Sequence, residues 1–441
     1  MKKVLIFGAG LVAKPGTRYL LDNDYEVTIA TRTVSKAEDI IAGHPNGTAI
    51  EFNVAKDDLE KSGLIQEHDL VVSLLPYKFH PQIAKSCVKY KTDMATTSYV
   101  SDEMQKLDEQ AKEADIILLN ECGVDPGIDH MSAMRVIHDI QENEGKVISF
   151  RSITGGLPAP QSKDNPLGYK FSWSPKGVIL AGTNPAKYME NGEIINIKSG
   201  DLFNHYWPMT VEGMDLEYYP NRNSLPYIDV YGLENINTMF RGTFRYPGWC
   251  ETIQSLFDLG LLDQEEEIKE DLKNATWRQL LMNLLGLEGK NLQREVAHEL
   301  GKDPKAECIQ NMAWLDLFSN KKIPDGDSYL DVIATQFLDK LGKFSDDEQD
   351  MIVMLHEFIA EYPDGRKEKS TSTLIDYGIP NGDSSMARTV SLPLGIAVKM
   401  ILEGDIKDKG VTIPIKPEIY NPILDELEKM DIAFEEEVKD L

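Results

Sequence analysis

Cysteine is scarce in this chain of 441 residues. Cys87, Cys122, Cys250 and Cys308 form no CxxC pair and have no histidine at metal-ligand spacing, which excludes a disulfide framework and a zinc ribbon. They read instead as the reduced thiols of a cytoplasmic protein, with no metal site. Basic residues are also in deficit, 46 Lys and Arg against 73 Asp and Glu, for a net charge of −27. A nucleic-acid binder needs a basic face to neutralise phosphates, and an anionic membrane surface would repel such a chain. No apolar run reaches the roughly 18 residues that a membrane span requires. The start, Met1-Lys2-Lys3 before an apolar stretch, imitates a signal peptide, but Gly8 and Gly10 interrupt the stretch and Lys14-Pro15 closes it. Internal repeats and low-complexity segments are lacking as well. What is present is ordinary globular composition, 41% hydrophobic and 27% charged, at a length that allows two or three domains of roughly 150 residues each. An anionic ligand would have to be held by specific Arg or Lys residues against the overall field.

The first 125 residues alternate short apolar strands with amphipathic helices. Strands are predicted at 4–7, 26–30, 70–74 and 116–120, and helices at 12–23, 34–42 and 81–90. Apolar strands separated by helices imply a parallel sheet covered on both faces. The rhythm changes near Asp125-Pro126-Gly127. Strand-like runs mixed with Gly, Pro and aromatic residues follow over 147–250 and suit a loop-rich substrate domain. Apolar spacings of three and four at 253–262, 277–287, 292–300, 306–318 and 346–360 predict a helical subdomain over about 251–362. A strand at 369–377 and a long helix at about 385–403, after the cap-like pair Asp383-Ser384, complete the pattern, and the acidic tail reads as helical at its end. The expected fold class is α/β: a Rossmann-type, doubly wound parallel sheet over 1–125, to which a C-terminal helix at about 385–441 returns, plus an α+β substrate and dimerisation domain over 126–384 carrying the helical insertion.

Gly8-Ala9-Gly10-Leu11-Val12-Ala13 fits G-x-G-x-x-G/A directly between a strand and a helix. Gly8 permits the tight turn, Gly10 lets backbone approach a pyrophosphate, and the small Ala13 lets helix and strand pack closely. An NAD site wants Asp or Glu at the end of the second strand. Here that strand runs into Thr31-Arg32-Thr33, which repels no 2′-phosphate and can hold one. The cofactor is therefore expected to be NADP(H).

Longer strings carry a resemblance. In chain order they are Ser73-Leu74-Leu75-Pro76-Tyr77, Thr97-Ser98-Tyr99, Asn120-Glu121, Asp125-Pro126-Gly127-Ile128-Asp129-His130, Gly155 to Pro160, Asn165 to Ser174, Tyr219-Pro220-Asn221-Arg222, and Arg241 to Tyr246. With these the chain resembles the saccharopine reductases, the NADP-dependent, glutamate-forming saccharopine dehydrogenases of lysine metabolism through aminoadipate, over nearly its whole length. The resemblance implies oxidation of the CH–NH group of saccharopine by NADP⁺, with water, to L-glutamate and L-2-aminoadipate 6-semialdehyde. It implies substrate contacts at Ser98, Tyr99, Asp125, Arg222, Thr243, Phe244 and Arg245. Cofactor contacts follow at Gly10, Leu11, Val12, Ala13, Arg32, Thr33, Val54, Leu75, Thr97 and Ser98, with Val124 and Ser174 beside them. Asn53 stands where the family has Asp, and Thr154 where it has Cys.

Saccharopine carries three carboxylates and a secondary amine, so fixed guanidinium groups such as Arg222 and Arg245 are what its site needs. Asp125 is the first candidate for holding the amine and assisting proton transfer, and Tyr99 the second. His80 and His130 are weaker candidates, because a lone His beside a Pro turn or on a helix is more often structural. A carboxynorspermidine dehydrogenase-like reductase is the alternative; its polycationic substrate would want a carboxylate-lined pocket, against which the Arg pair speaks. A catalytically silent NADP-binding protein on the same fold would not need the substrate strings. A homodimer is the expected assembly.

Overall fold

The computed structural model describes residues 1–172, 175–263, 267–268 and 270–441. It divides into two compact units, one of Met1–Val147 with Met354–Leu441 and one of Ile148–Val353.

In the first unit the apolar runs become strands: β1 (Lys3–Phe7), β2 (Glu26–Thr31), β3 (Gly47–Glu51), β4 (Leu70–Ser73), β5 (Asp93–Thr96) and β6 (Ile117–Leu119). Val4 to Phe7 and Leu70 to Ser73 are buried throughout, as strands covered on both faces must be. All pair in parallel, in the order β3-β2-β1-β4-β5-β6, with Gly410–Thr412 added in parallel beside β6. The winding thus reverses between β1 and β4, the point where open α/β sheets leave a crevice at their carboxyl edge. Helices α1 (Lys14–Asp22), α2 (Val34–Ile41) and α3 (His80–Tyr90) make the crossovers. One face packs a core of Leu5, Phe7, Ile65, Ile83, Met94 and Leu118.

Helix Ser385–Glu403 belongs to the same unit and lies against α1. Its N-terminus is capped as the sequence suggests, Ser384 Oγ accepting from Ala387 N at 3.1 Å. The two helices meet closely at Gly16, whose N–H donates to Ser391 Oγ at 2.9 Å. A Cβ on Gly16 would sit 2.2 Å from the Ser391 carbonyl oxygen, so only glycine fits. This helix is long and apolar enough to cross a membrane by length and composition, yet Leu392, Leu394, Ile396, Ala397 and Val398 are buried in the fold. Each such burial contributes about 1.5–3 kcal/mol for the larger side chains, which makes it a core helix. The chain then supplies Gly410–Thr412 and helix Pro417–Glu428, which Arg135 joins through Asn421 and Asp425.

Two local expectations are corrected. Residues 346–360 were expected to be helical, but Asp350–Glu361 is a strand. It is buried on both faces almost throughout, so no period of two marks it, and apolar spacings of three and four arise within a continuous apolar run. The tail after Pro417–Glu428 ends in a strand, Glu435–Asp440, paired antiparallel with Lys367–Tyr377. Its residues are all exposed, so backbone pairing rather than side-chain burial makes it a strand, and its charges suit a sheet edge.

In the second unit Thr238–Arg245 runs parallel to Lys146–Pro158, with Thr243 opposite Thr154, and antiparallel to Met214–Pro220, with Glu217 opposite Arg245. Helices at Trp249–Asp258, Trp277–Leu285, Leu292–Glu299 and Glu307–Trp314 match the predicted ones, and Tyr329–Leu341 adds one that was not predicted. Trp277–Leu285 and Tyr329–Leu341 open with capping boxes, Thr276 with Gln279 and Ser328 with Asp331.

Candidate active site and cofactor edge

Every described candidate for cofactor contact lies at the carboxyl ends of the parallel strands. Gly8 leaves β1 with φ +109° and donates to the Ala30 carbonyl at 3.0 Å. A Cβ there would be 3.1 Å from Leu74 O, so the turn needs glycine. Gly10 would face open space, Leu11 and Val12 follow at the helix entry, and Ala13 is buried under α1, its carbonyl accepting from Thr17 Oγ1 at 2.7 Å. Thr31 ends β2 and Arg32 and Thr33 follow it, with Arg32 exposed and in no ion pair among the described residues. Val54 follows β3, Leu75 follows β4, Thr97 and Ser98 follow β5, and Val124 follows β6. Ser174 lies outside the described residues. A glycine turn with room before a helix, and an unpaired guanidinium with no acid at the end of β2, fit a dinucleotide bearing a 2′-phosphate.

Three of the candidate substrate residues, Ser98, Tyr99 and Asp125, are on the same edge. Tyr99 donates its hydroxyl to Asp125 Oδ1 at 2.8 Å, joining the two candidates for proton handling. Asp125 precedes Pro126 through a cis peptide. Behind them Glu121, buried at φ +55°, accepts from Val100 N at 2.9 Å and from His130 Nε2 at 2.7 Å. His130 is wholly buried, so it anchors this loop. His80 is also buried, between Ser73 Oγ at Nδ1 and Ser98 Oγ at Nε2, both at 2.8 Å, and burial pushes its pKa down to about 4. No sequence pattern marks this bridge, because it joins residues from β4, α3 and the end of β5.

Arg222, Thr243, Phe244 and Arg245 belong to the second unit. Arg222 is exposed at φ +55°, its carbonyl accepting from Lys187 N at 2.8 Å. Arg245 is different: it is only 5% exposed, with its guanidinium 5.2 Å from the ring of Tyr169, 5.8 Å from Tyr219 and 5.5 Å from Trp249. Nη1 donates to the Phe244 carbonyl at 2.7 Å, while Nε has no partner and no carboxylate forms an ion pair with the group among the described residues. Burial opposes its charge, but Tyr219, Tyr169, Cys250 and Glu217 outweigh burial and hold its pKa above the usual range. A buried cation with a donor unspent is a receptor for an anion. Thr154 Oγ1 and Trp249 Nε1, also buried, likewise have no partner. Lys170, by contrast, is a structural cation, paired with Asp164 and Glu348. The four thiols are buried, and burial raises each pKa, so none is a ready thiolate.

A doubly wound sheet with this edge defines a nucleotide-dependent oxidoreductase of the Rossmann type. Residues 4–119 match the saccharopine dehydrogenase NADP binding domain and residues 123–432 the saccharopine dehydrogenase C-terminal domain. The chain belongs to the saccharopine dehydrogenase family. It is 38% identical over 450 residues, covering 100% of both chains, to saccharopine dehydrogenase [NADP(+), L-glutamate-forming] of Schizosaccharomyces pombe. With the Saccharomyces cerevisiae enzyme of the same name it shares 40% identity over 436 residues, 97% of this chain and 96% of that one. The solved structure of apo histidine-tagged saccharopine dehydrogenase (L-Glu forming) from Saccharomyces cerevisiae superposes with a TM-score of 0.92 at 38% identity, covering 100% of each chain.

Proposed function

We propose that the chain is an NADP-dependent, L-glutamate-forming saccharopine dehydrogenase of lysine metabolism, acting on a CH–NH group. In the geometry, the observation that carries this reading is Arg245, a buried guanidinium whose Nε donor is unspent and which forms no ion pair among the described residues. A tricarboxylate substrate supplies what that group lacks; carboxynorspermidine, with a single carboxylate among several ammonium groups, does so less well, and the relatives' names do not favour it.

The Gly8 to Ala13 turn, Thr31 to Thr33, Val54, Leu75, Thr97, Ser98 and Val124 would hold the cofactor, which would supply the hydride acceptor. Loss of hydride from the lysine-side carbon next to the secondary amine leaves a C=N bond carrying positive charge. Asp125, fixed by the Tyr99 hydroxyl, is placed to hold the amine and stabilise that charge. Water then adds to the carbon, giving up one proton, and the carbinolamine C–N bond breaks as the hydroxyl proton passes to nitrogen. Glutamate leaves, and the carbon becomes the aldehyde of aminoadipate semialdehyde. The Tyr99–Asp125 pair is the proton-handling group for both transfers. Arg222, Thr243, Phe244 and Arg245 serve the substrate carboxylates and backbone.

Four buried, unpaired cysteines support a reducing compartment such as the cytoplasm, and a two-fold homodimer is the assembly proposed, to be read by light scattering of the purified protein. The activity is tested by following reduced-cofactor absorbance with saccharopine and NADP⁺, beside carboxynorspermidine and beside NAD⁺. Saccharopine- and NADP⁺-dependent reduction is expected. Turnover with carboxynorspermidine alone, or equal use of NAD⁺, would overturn the substrate or the cofactor assignment respectively.

A further inference from the structure

We propose that His80 is a positioning residue for this reaction, which fixes the Ser98 hydroxyl as a hydrogen-bond donor to a carboxylate oxygen of saccharopine. The inference rests on the reading of Ser98 as a substrate contact.

The direction of the hydrogen bonds follows from proton counting. Ser73 is fully buried, and its hydroxyl has one partner, His80 Nδ1 at 2.8 Å. If Nδ1 carried the proton, the Ser73 proton would be buried with no acceptor, at a cost of about 1–3 kcal/mol. Nδ1 therefore accepts, and the ring is protonated at Nε2. Thr96 agrees. Its one hydroxyl proton goes to the Ser73 carbonyl at 2.9 Å, so toward His80 Nε2, 3.4 Å away, its oxygen can only accept. Nε2–H consequently donates to Ser98 Oγ at 2.8 Å. Ser98, half-buried at the strand edge, has no other side-chain partner among the described residues, so its own proton is left for a ligand.

The relay is polar but uncharged, since all three groups touching the ring are hydroxyls, and burial alone lowers its pKa to about 4. Across the working pH range the ring stays neutral and the hydrogen-bond order cannot invert. A substrate carboxylate is accepted at Ser98 through that proton, which the His80 ring does not take up. A charged imidazolium would have drawn a carboxylate directly. The neutral ring leaves recognition to the serine.

The test combines a mutational cycle with spectroscopy of the intact enzyme. Ser98→Ala is expected to raise the saccharopine KM about tenfold, the loss of one hydrogen bond to a charged acceptor, and the NADP⁺ KM by a clearly smaller factor. His80→Leu should cost a similar factor, His80→Gln, which keeps an N–H near Nε2, clearly less, and the Ser98→Ala/His80→Leu double variant no more than either single one. Histidine ¹⁵N spectra of the unmodified protein should show one ring protonated at Nε2 that does not titrate between pH 5 and 8, which reads the relay without any folding risk. If Ser98→Ala leaves the saccharopine KM unchanged, or raises the NADP⁺ KM instead, the substrate reading of Ser98 fails and the proposal with it. If Ser98→Ala behaves as expected but His80→Leu exacts its full factor in the Ser98→Ala background, or the ring carries its proton at Nδ1, the proposal alone is overturned.

Discussion

At the scale of single residues, the contrast between the three arginines named from the sequence is instructive. Arg32 and Arg222 are exposed and Arg245 is buried, although all three read alike as cations an anionic ligand would need. Burial of Arg245 among Tyr169, Tyr219 and Trp249 depends on residues distant in sequence, so its special status was legible only through the string Arg241 to Tyr246, never from charge. Arg245→Ala should raise the saccharopine KM by ten- to a hundredfold, the range of a charged hydrogen-bonding pair, with the NADP⁺ KM within twofold; Arg245→Lys should recover little, lacking the planar fork. Unaltered saccharopine kinetics in the alanine variant would remove Arg245 from the site. His80 carries a second consequence at this scale. Its folded pKa of about 4 lies below the ordinary value of 6.5, so the unfolded chain binds the proton first as pH falls. The neutral ring's contribution is intact above pH 6.5 and is lost between 6.5 and about 4, on the order of 3 kcal/mol. Urea unfolding of wild type and His80→Gln at pH 7 and pH 4.5 should show the wild type losing more stability; parallel losses would contradict it.

Elements with a strong period were legible, and those defined by their neighbours were not. The strand–turn–helix of residues 3–22 and the helix at 385–403 stand where Gly8, Gly10 and the Ser384 cap put them. Gly47–Glu51, Asp93–Thr96 and Gly410–Thr412 are strands because they add to an existing sheet, and three to five residues carry no period long enough to read. The same cause misplaced 346–360, where burial on both faces erased the alternation. Within the helix pair, Ser384→Ala should cost about 1 kcal/mol through loss of the cap. Gly16→Ala should cost more, because the added methyl meets backbone at the Ser391 carbonyl. Thermal unfolding orders the two; a Gly16→Ala protein as stable as the parent would show that the helices can part.

The molecule as a whole is two units on one chain, and the first is discontinuous, closed by residues 354–441. Removing residues 381–441 should therefore abolish NADP⁺ binding and solubility even though every residue of the glycine turn is retained. A soluble, NADP⁺-binding truncated chain, by equilibrium dialysis, would refute this. The discontinuity also fixes an order of events during synthesis. A ribosome adding roughly 5–20 residues per second finishes β1 to β6 long before it reaches Ser385. For tens of seconds the face of α1 that will receive Ser391 and Leu394 has no partner, so the nascent nucleotide edge waits on the end of the message. A chain broken off by a premature stop leaves that apolar face open to chaperones and proteases, and only chains translated through the helix at 385–403 and the strand at 410–412 compete for cofactor.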